Sequence, residues 1–288
     1  MRYGVNSMSA TLARVAIRRP NAMLRADHER WHYQNPIDPV AVATEHATFA
    51  ELLAASGAEV LWIDDEDDGL ADSVFAYDPS FLVPGGAVLL RMGKELRQDE
   101  VGLHERFYAR EDIPVLGRIE APGMLEGGDM FWVDTTTIAV GLGPRTNTAG
   151  VEQLRTILRP SGIQVRTYVL PEIDDPDACL HLMSVASPLD HDLMLVHGPL
   201  LPDGFADEME AAGYELLEAP PDEFDASFGL NLNVLAVAPR NVLAITGFDG
   251  THELMRSADC VVTTFDADHL CVNCEGGPTC LTRPILRR

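Results

Sequence analysis

The sequence predicts an α/β fold in which one supersecondary module recurs around a propeller-like closed array. β-rich runs alternate with amphipathic helical stretches along all 288 residues, in the same order and at similar spacing. No low-complexity linker separates one copy from the next. A unit of a few strands and one helix cannot bury its apolar face alone, so regular repetition implies that copies stack on their neighbours. Alternation by itself also fits an ordinary pair of α/β domains.

The first copy lacks an opening strand: it has a strand over 14–18, a helix over Pro39–Ala55 and a strand over 60–63. In the second, the β-rich runs 73–77 and 87–90 flank Pro84-Gly85-Gly86, a turn signal, before a helix over 97–110 and a strand over 113–119. The third has runs at 129–133 and 137–141, a helix over 147–158 with Asn147 as its N-cap, and a strand over 163–170. Runs at 180–186 and 192–197, a helix over 202–212 and a strand over 214–218 make the fourth. The fifth has runs at 232–238 and 242–246, a helix over 251–257 and a strand over 260–265. The tail over 280–286 is left to complete the first copy, closing the ring and making 1–288 a single domain.

Composition narrows the function. Apolar residues form 46% of the chain, enough for a large core, and no apolar run approaches the ~20 residues of a membrane helix. The first twenty residues alternate arginines with apolar residues and contain no secretory core, so a cytoplasmic location is the expectation. Five cysteines, an odd number without framework spacing, read as reduced thiols. The formal net charge is −24 and Lys94 is the only lysine, an acidity that argues against a nucleic-acid partner. That charge reads chiefly as a solvated surface, with a weak attraction for a cationic substrate beside it.

The chemistry points to the end of the chain. Cys280 lies in Glu275-Gly-Gly-Pro-Thr-Cys280-Leu-Thr-Arg-Pro284, where a glycine- and proline-rich turn precedes β-forming residues and a thiol can face a pocket. Glu126-Gly-Gly-Asp129 and His181-Leu-Met-Ser184 supply a carboxylate and an imidazole, the partners a nucleophilic thiol needs. Each has a bland reading too: a buried small hydrophobe for Cys280, a core histidine for His181, turn acids for Glu126 and Asp129. Arg97 sits in a charged run, 94–100, of the kind that opens solvated helices. Cys271-Val-Asn-Cys274, with Cys280 and His269, has the look of a zinc knuckle, but the second well-spaced pair is missing. The acids 64–68 read as a solvated loop without calcium-loop spacing.

Taken with Leu125-Glu-Gly-Gly-Asp129, Gly143-Pro-Arg145-Thr-Asn147 and Asp72-Ser-Val-Phe-Ala-Tyr-Asp78, these motifs resemble the guanidino-group-modifying enzyme superfamily. The resemblance runs from about residue 14 onward and implies that family's five-bladed α/β propeller, the pentein fold, with pseudo-fivefold symmetry. It implies Cys280 as nucleophile, His181 as general acid and base, and Glu126 as the carboxylate that orients the imidazole. Asp72 and Asp78 match acids that grip a guanidinium, Arg97 and Arg145 match arginines that hold a substrate carboxylate, and Glu275 matches a loop acid near the substrate amino group. No metal or organic cofactor is implied, and the partner is a small guanidino substrate, with no nucleic acid or membrane and a homo-oligomer as an open possibility.

Met183 stands where arginine deiminases and amidinotransferases carry an aspartate, which favours the dimethylarginine dimethylaminohydrolases; Tyr77, where that subfamily often has glutamate, pulls the other way. The expected activity is hydrolysis of N-methylated arginine to citrulline and an alkylamine through a covalent Cys280 intermediate. Hydrolysis of arginine or another guanidino acid, amidino transfer, a non-catalytic pentein binding protein and a zinc-stabilised interaction protein are the alternatives.

Overall fold

The computed structural model describes residues 2–64, 69–172 and 180–288. Its strands form five three-stranded mixed sheets. Four sheets share one plan: an antiparallel pair, then a crossover with a helix to a third strand parallel to the second. They are β3 (Ser80–Val83), β4 (Gly86–Leu89), α3 (Glu100–Arg110) and β5 (Val115–Arg118), then β6 (Met130–Trp132), β7 (Thr137–Leu142), α4 (Thr148–Leu158) and β8 (Gln164–Val169). The third and fourth are β9 (Ala186–Pro188), β10 (Leu193–Val196), α5 (Phe205–Ala211) and β11 (Glu215–Glu218), then β12 (Leu235–Ala238), β13 (Asn241–Ile245), α7 (Asp249–Ser257) and β14 (Val261–Phe265). Between these two lies α6 (Pro221–Ser227).

The remaining sheet joins the two ends of the chain. β1 (Leu12–Ile17) is followed by the short α1 (His28–Trp31), the long α2 (Pro39–Ala55) and β2 (Glu59–Trp62), which runs parallel to β1. The place of the missing first strand is taken by β15 (Arg283–Arg287), antiparallel to β1 with Val15 opposite Pro284. The tail thus completes the first copy, as its sequence suggests.

Local chemistry explains where the helices start. Asp38 accepts from the Val40 and Ala41 amides at 3.0 Å each, with Pro39 in the first turn of α2. Asn147 caps α4 by accepting from Gly150 at 2.9 Å, and the same oxygen accepts from Met124 at 3.0 Å. That second bond ties the α4 N-terminus to the segment leading into Glu126. Strands buried on both faces read as continuous apolar runs, as Phe81–Val83 and Ala87–Leu90 do here, all 1% exposed or less. Packing between copies is aromatic in places: Phe49 of α2 stacks on Phe265 of β14 with centroids 5.2 Å apart.

Three expectations are corrected. Residues 73–77 are not a strand: Ala71–Val74 form a 3-10 turn, with the Phe75 amide on the Asp72 carbonyl at 2.9 Å, and the strand pairing with β4 starts at Ser80. The backbone there satisfies itself locally, so no ladder forms. Residues 182–184 are likewise a 3-10 turn, and the strand begins at Ala186. Cys280 does not open the last strand; turn bonds from Leu281 to Gly277 (3.2 Å) and from Thr282 to Thr279 (3.1 Å) hold it before β15. Residues 65–68 of the acidic run, and Cys179, lie outside the described residues. Among the described residues no helix is long and apolar enough to cross a membrane.

Phe49→Ala removes a fully buried ring that joins α2 to β14. It is expected to cost about 3–5 kcal/mol of stability, read by urea denaturation.

Candidate active site

Glu126 is fully buried, and a buried carboxylate stays ionised only where protein groups replace water. One oxygen accepts from the Gly93 amide at 2.7 Å, the Lys94 amide at 3.4 Å and Arg145 Nη1 at 3.5 Å. The other faces His181 Nε2 at 2.9 Å. Burial works to raise this carboxyl's pKa, but the hydrogen bond and charge of His181, with Arg145 and Arg97 beyond, hold it well below the usual carboxylate range. With Nε2 committed to Glu126, Nδ1 lies over Gly128, whose missing side chain is what lets the ring approach. A Cβ there would stand 2.3 Å from Nδ1.

Asp129 completes the motif from the backbone side. Its Oδ1 accepts from the Leu182 amide at 3.0 Å, while the His181 amide donates to Ser184 Oγ at 3.1 Å. Glu126 therefore holds the imidazole, Gly128 makes room for it, and Asp129 fixes the turn that carries it. Burial pushes the Asp129 carboxyl up to about 6, against the opposing pull of His181 and neighbouring donors.

Asp78 lies between this dyad and the segment that carries Cys280. It is 4% exposed; Oδ1 accepts from the Gly128 amide and Oδ2 from Arg97 Nη1, both at 2.8 Å. The Asp78 carbonyl accepts from Gly127 at 3.0 Å, and the neighbouring Tyr77 amide donates to the Cys280 carbonyl at 3.1 Å. Cys280 Sγ accepts from Asn233 Nδ2 at 3.0 Å, and Asn233 Oδ1 accepts from the Thr279 amide at 3.1 Å. Gly277 allows that approach, since a Cβ would stand 2.5 Å from Asn233 Cγ. Burial, then the charge of Asp78, push the thiol's pKa up; Asn233, His181 and the Gly277 amide oppose them. Asp78, Glu126 and His181 thus lie together, and the backbone of Cys280 is joined to the residue before Asp78.

The other expected residues fall in different environments. Arg145, with its side chain 18% exposed, reaches the outer oxygen of Glu126. Arg97 is locked inside: Nε and Nη2 bond Glu100 at 2.9–3.1 Å, Nη1 bonds Asp78, and Nη2 also meets the Phe75 carbonyl at 3.0 Å. Every nitrogen of this guanidinium is engaged by protein acceptors. Asp72 is 5% exposed, its Oδ1 accepting from the Tyr33 hydroxyl at 2.8 Å and its Oδ2 from Lys94 Nζ at 2.7 Å. Glu275, exposed at φ 59°, lies 3.5 Å from Gln34 Nε2, away from the dyad's hydrogen bonds.

Asn233, Lys94 and Tyr33 were not singled out from sequence as site residues. Asn233 sits in an apolar run without any motif, whereas Lys94 carried a signal as the chain's only lysine. Tyr77 and Met183 line a small internal space with Met8 and Arg287, and Tyr77 lies beneath Arg283, 4.1 Å from its guanidinium carbon. Cys271 and Cys274 pack in the apolar core with Leu270 and Leu281, and burial raises both thiols.

Donor atoms of Asp78, Glu126 and His181 lie within 4.8 Å of one another, a spacing that can hold a metal. Both carboxylates there already accept from guanidinium groups, Arg97 and Arg145. Chemically, the cluster offers a thiol, an imidazole held in one tautomer by a buried carboxylate, and acids suited to a cationic ligand.

Comparison with known proteins follows the same direction. A sequence profile described as arginine deiminase matches residues 68–212. An N(G),N(G)-dimethylarginine dimethylaminohydrolase of Streptomyces coelicolor is 33% identical over 184 residues, covering 64% of this chain and 68% of that protein. The uncharacterized protein YkgA of Bacillus subtilis is 25% identical over 281 residues, 96% of this chain and 93% of that one. The solved dimethylarginine dimethylaminohydrolase of Pseudomonas aeruginosa, complexed with citrulline, matches 96% of this chain and 100% of its own with a TM-score of 0.75 at 23% identity. That likeness establishes the α/β fold.

Gly128→Ala places a methyl group against the imidazole. The expected result is a His181 ring displaced from Glu126, seen as altered histidine side-chain NMR signals in a protein that remains folded. Unaltered His181 signals would contradict the packing described.

Proposed function

Since the chain belongs to the arginine deiminase family, and is thereby an amidine-hydrolysing enzyme, we propose that it acts by the dimethylarginine dimethylaminohydrolase reaction. The substrate is an N-methylated arginine, and the products are citrulline and methylamine or dimethylamine. One observation carries the reading: His181, Glu126 and Asp78 stand together, and the backbone carbonyl of Cys280 accepts from the amide of Tyr77, the residue before Asp78. We further infer that the five three-stranded sheets are blades of one closed propeller, a single domain, with this cluster drawn from several of them.

A guanidinium carbon is a poor electrophile because three nitrogens share charge with it. Thiol attack requires the thiolate, and the free protein holds Cys280 on the thiol side of its ordinary value. A bound guanidinium beside Asp78 offsets the negative charge that opposes ionisation, so substrate itself favours the thiolate. The Cys280 proton passes to His181 at Nδ1, a sulfur–carbon bond forms, and the C=N electron pair moves onto nitrogen. From this tetrahedral adduct the imidazolium returns its proton to the departing alkylamine and the carbon–nitrogen bond breaks, leaving an S-alkylthiouronium on Cys280. Neutral His181 then takes a proton from water as the oxygen adds to the same carbon. As the carbon–sulfur bond breaks, the hydroxyl proton is lost to solvent and the imidazolium returns its proton to sulfur, releasing the ureido product and restoring the thiol. In each half of the reaction His181 serves first as base and then as acid, with Glu126 holding Nε2 throughout.

Asp72 and Asp78 are assigned to the guanidinium, Arg97 to holding Asp78 in place, and Arg145 to the substrate carboxylate through its planar fork. The family profile over 68–212 favours unmethylated arginine as the second reading.

Cys280→Ser is expected to abolish citrulline formation across a panel of arginine, mono- and dimethylarginines and agmatine, with the circular dichroism spectrum unchanged. Retained turnover would remove the mechanism, and faster release of ammonia from arginine than of amine from methylarginines would move the assignment to the deiminase reaction. Arg145→Ala is expected to raise KM for carboxylate-bearing substrates about 10–100-fold, as loss of a charge-assisted bond of roughly 1.5–3 kcal/mol implies, while leaving agmatine little changed. An equal loss with agmatine would show that Arg145 serves Glu126 alone.

A further inference from the structure

We propose that Lys94 occupies the guanidinium seat of Asp72 in the ligand-free protein and is displaced by the substrate, so that this one lysine sets how tightly guanidino compounds bind. The inference rests on the reading of Asp72 as a guanidinium carboxylate. The two oxygens of Asp72 are held by groups of different kinds. Oδ1 accepts from the Tyr33 hydroxyl at 2.8 Å, a buried phenol whose pKa burial raises, so it is a fixed neutral donor. Oδ2 meets the Lys94 ammonium at 2.7 Å. A cation already sits where a cationic ligand would have to come.

That cation is able to move. Beyond Asp72 its ammonium touches the Trp31 carbonyl at 3.2 Å and lies 5.4 Å from the centre of the Trp31 ring, and its side chain is 20% exposed. Four rotatable carbons carry it. Its backbone, by contrast, is fixed: the Lys94 amide faces Glu126, and its carbonyl accepts from Arg97 at 3.0 Å. The comparison with Arg97 is direct, since that guanidinium is fully engaged and buried on Asp78 and Glu100. Of the two acids assigned to the substrate, one thus has a structural cation and the other an exchangeable one.

Exchange at Asp72 has a favourable direction. An ammonium offers one point contact to Oδ2, whereas a guanidinium offers parallel N–H groups in a plane, a stronger match to a carboxylate. Two cations on one partly buried oxygen repel each other, so the lysine leaves as the guanidinium arrives. The lysine then acts as a discriminating competitor: ligands that form the paired contact displace it, and simple amines gain nothing over it.

The test uses Cys280→Ser protein, in which ligands bind without turnover. Calorimetric Kd values for agmatine are compared with Lys94 intact, Lys94→Met and Lys94→Arg. The expectation is tightening of about tenfold for Lys94→Met and weakening for Lys94→Arg, whose guanidinium competes better. Unchanged or weaker binding in Lys94→Met would overturn the inference and leave Lys94 a structural ion-pair partner. Should Lys94→Met fail to fold, acetylation of Lys94 followed by mass spectrometry in the Cys280→Ser protein with Lys94 intact decides. Agmatine should speed that acetylation, and an unchanged or slower rate overturns the proposal. Failure of the Lys94-intact protein to bind agmatine or any methylarginine would instead remove the underlying reading of the site, and the lysine inference with it.

Discussion

A charged carboxylate with no access to water is the constraint around which the site is built. Glu126 has zero exposure, so every lone pair needs a protein donor at close range. Backbone amides of Gly93 and Lys94 and the Arg145 guanidinium serve one oxygen, and His181 the other. Meeting that demand determines the path of three separate segments. The 93–94 turn must bring its amides inward, the β7–α4 connection must deliver Arg145, and the turn at Leu182–Ser184 must present the imidazole. The geometry of the histidine is thus a by-product of solvating its partner.

Charge in the site is arranged in pairs at graded depth. Asp78 with Arg97 and Glu100 lies deepest, and burial raises the Glu100 carboxyl to about 8 even against the guanidinium beside it. Asp72 with Lys94 is nearer the solvent. Buried pairs of this sort contribute little net stability, because desolvation offsets attraction. They hold these acids in fixed orientation and limit the net negative charge around them.

Much of this was legible in the chain. The recurring strand, helix and strand order located four sheets, and the incomplete first copy pointed to its partner at the other end. Asp78, Glu126 and His181, far apart in the sequence, lie within reach of one another, and the Cys280 backbone meets the residue before Asp78. Illegible parts have physical reasons. Apolar content at 73–77 mimics a strand, but Asp72 and Asp78 turn that backbone toward the site instead. Arg97 looked like a solvated helix start because its partners, Asp78 and Glu100, are acids that a linear reading places on a surface. Asn233 had no signal, since one amide in an apolar run becomes meaningful only when Gly277 brings the thiol to it. Pro220-Pro221-Asp222-Glu223, a proline-led acidic start, did mark α6 and went unread.

The sheet that joins both ends of the chain has a bearing on the sulfur. Cys280 lies three residues before β15, whose edge is sewn to β1 and, through the Arg287 and Arg288 amides, to Gly4 and Thr11. Fraying usually starts at termini and is harmless there. In this molecule β1 and β15 clasp one another a few residues from Cys280, so loosening that sheet slackens the anchor of this thiol before the rest of the structure has given way.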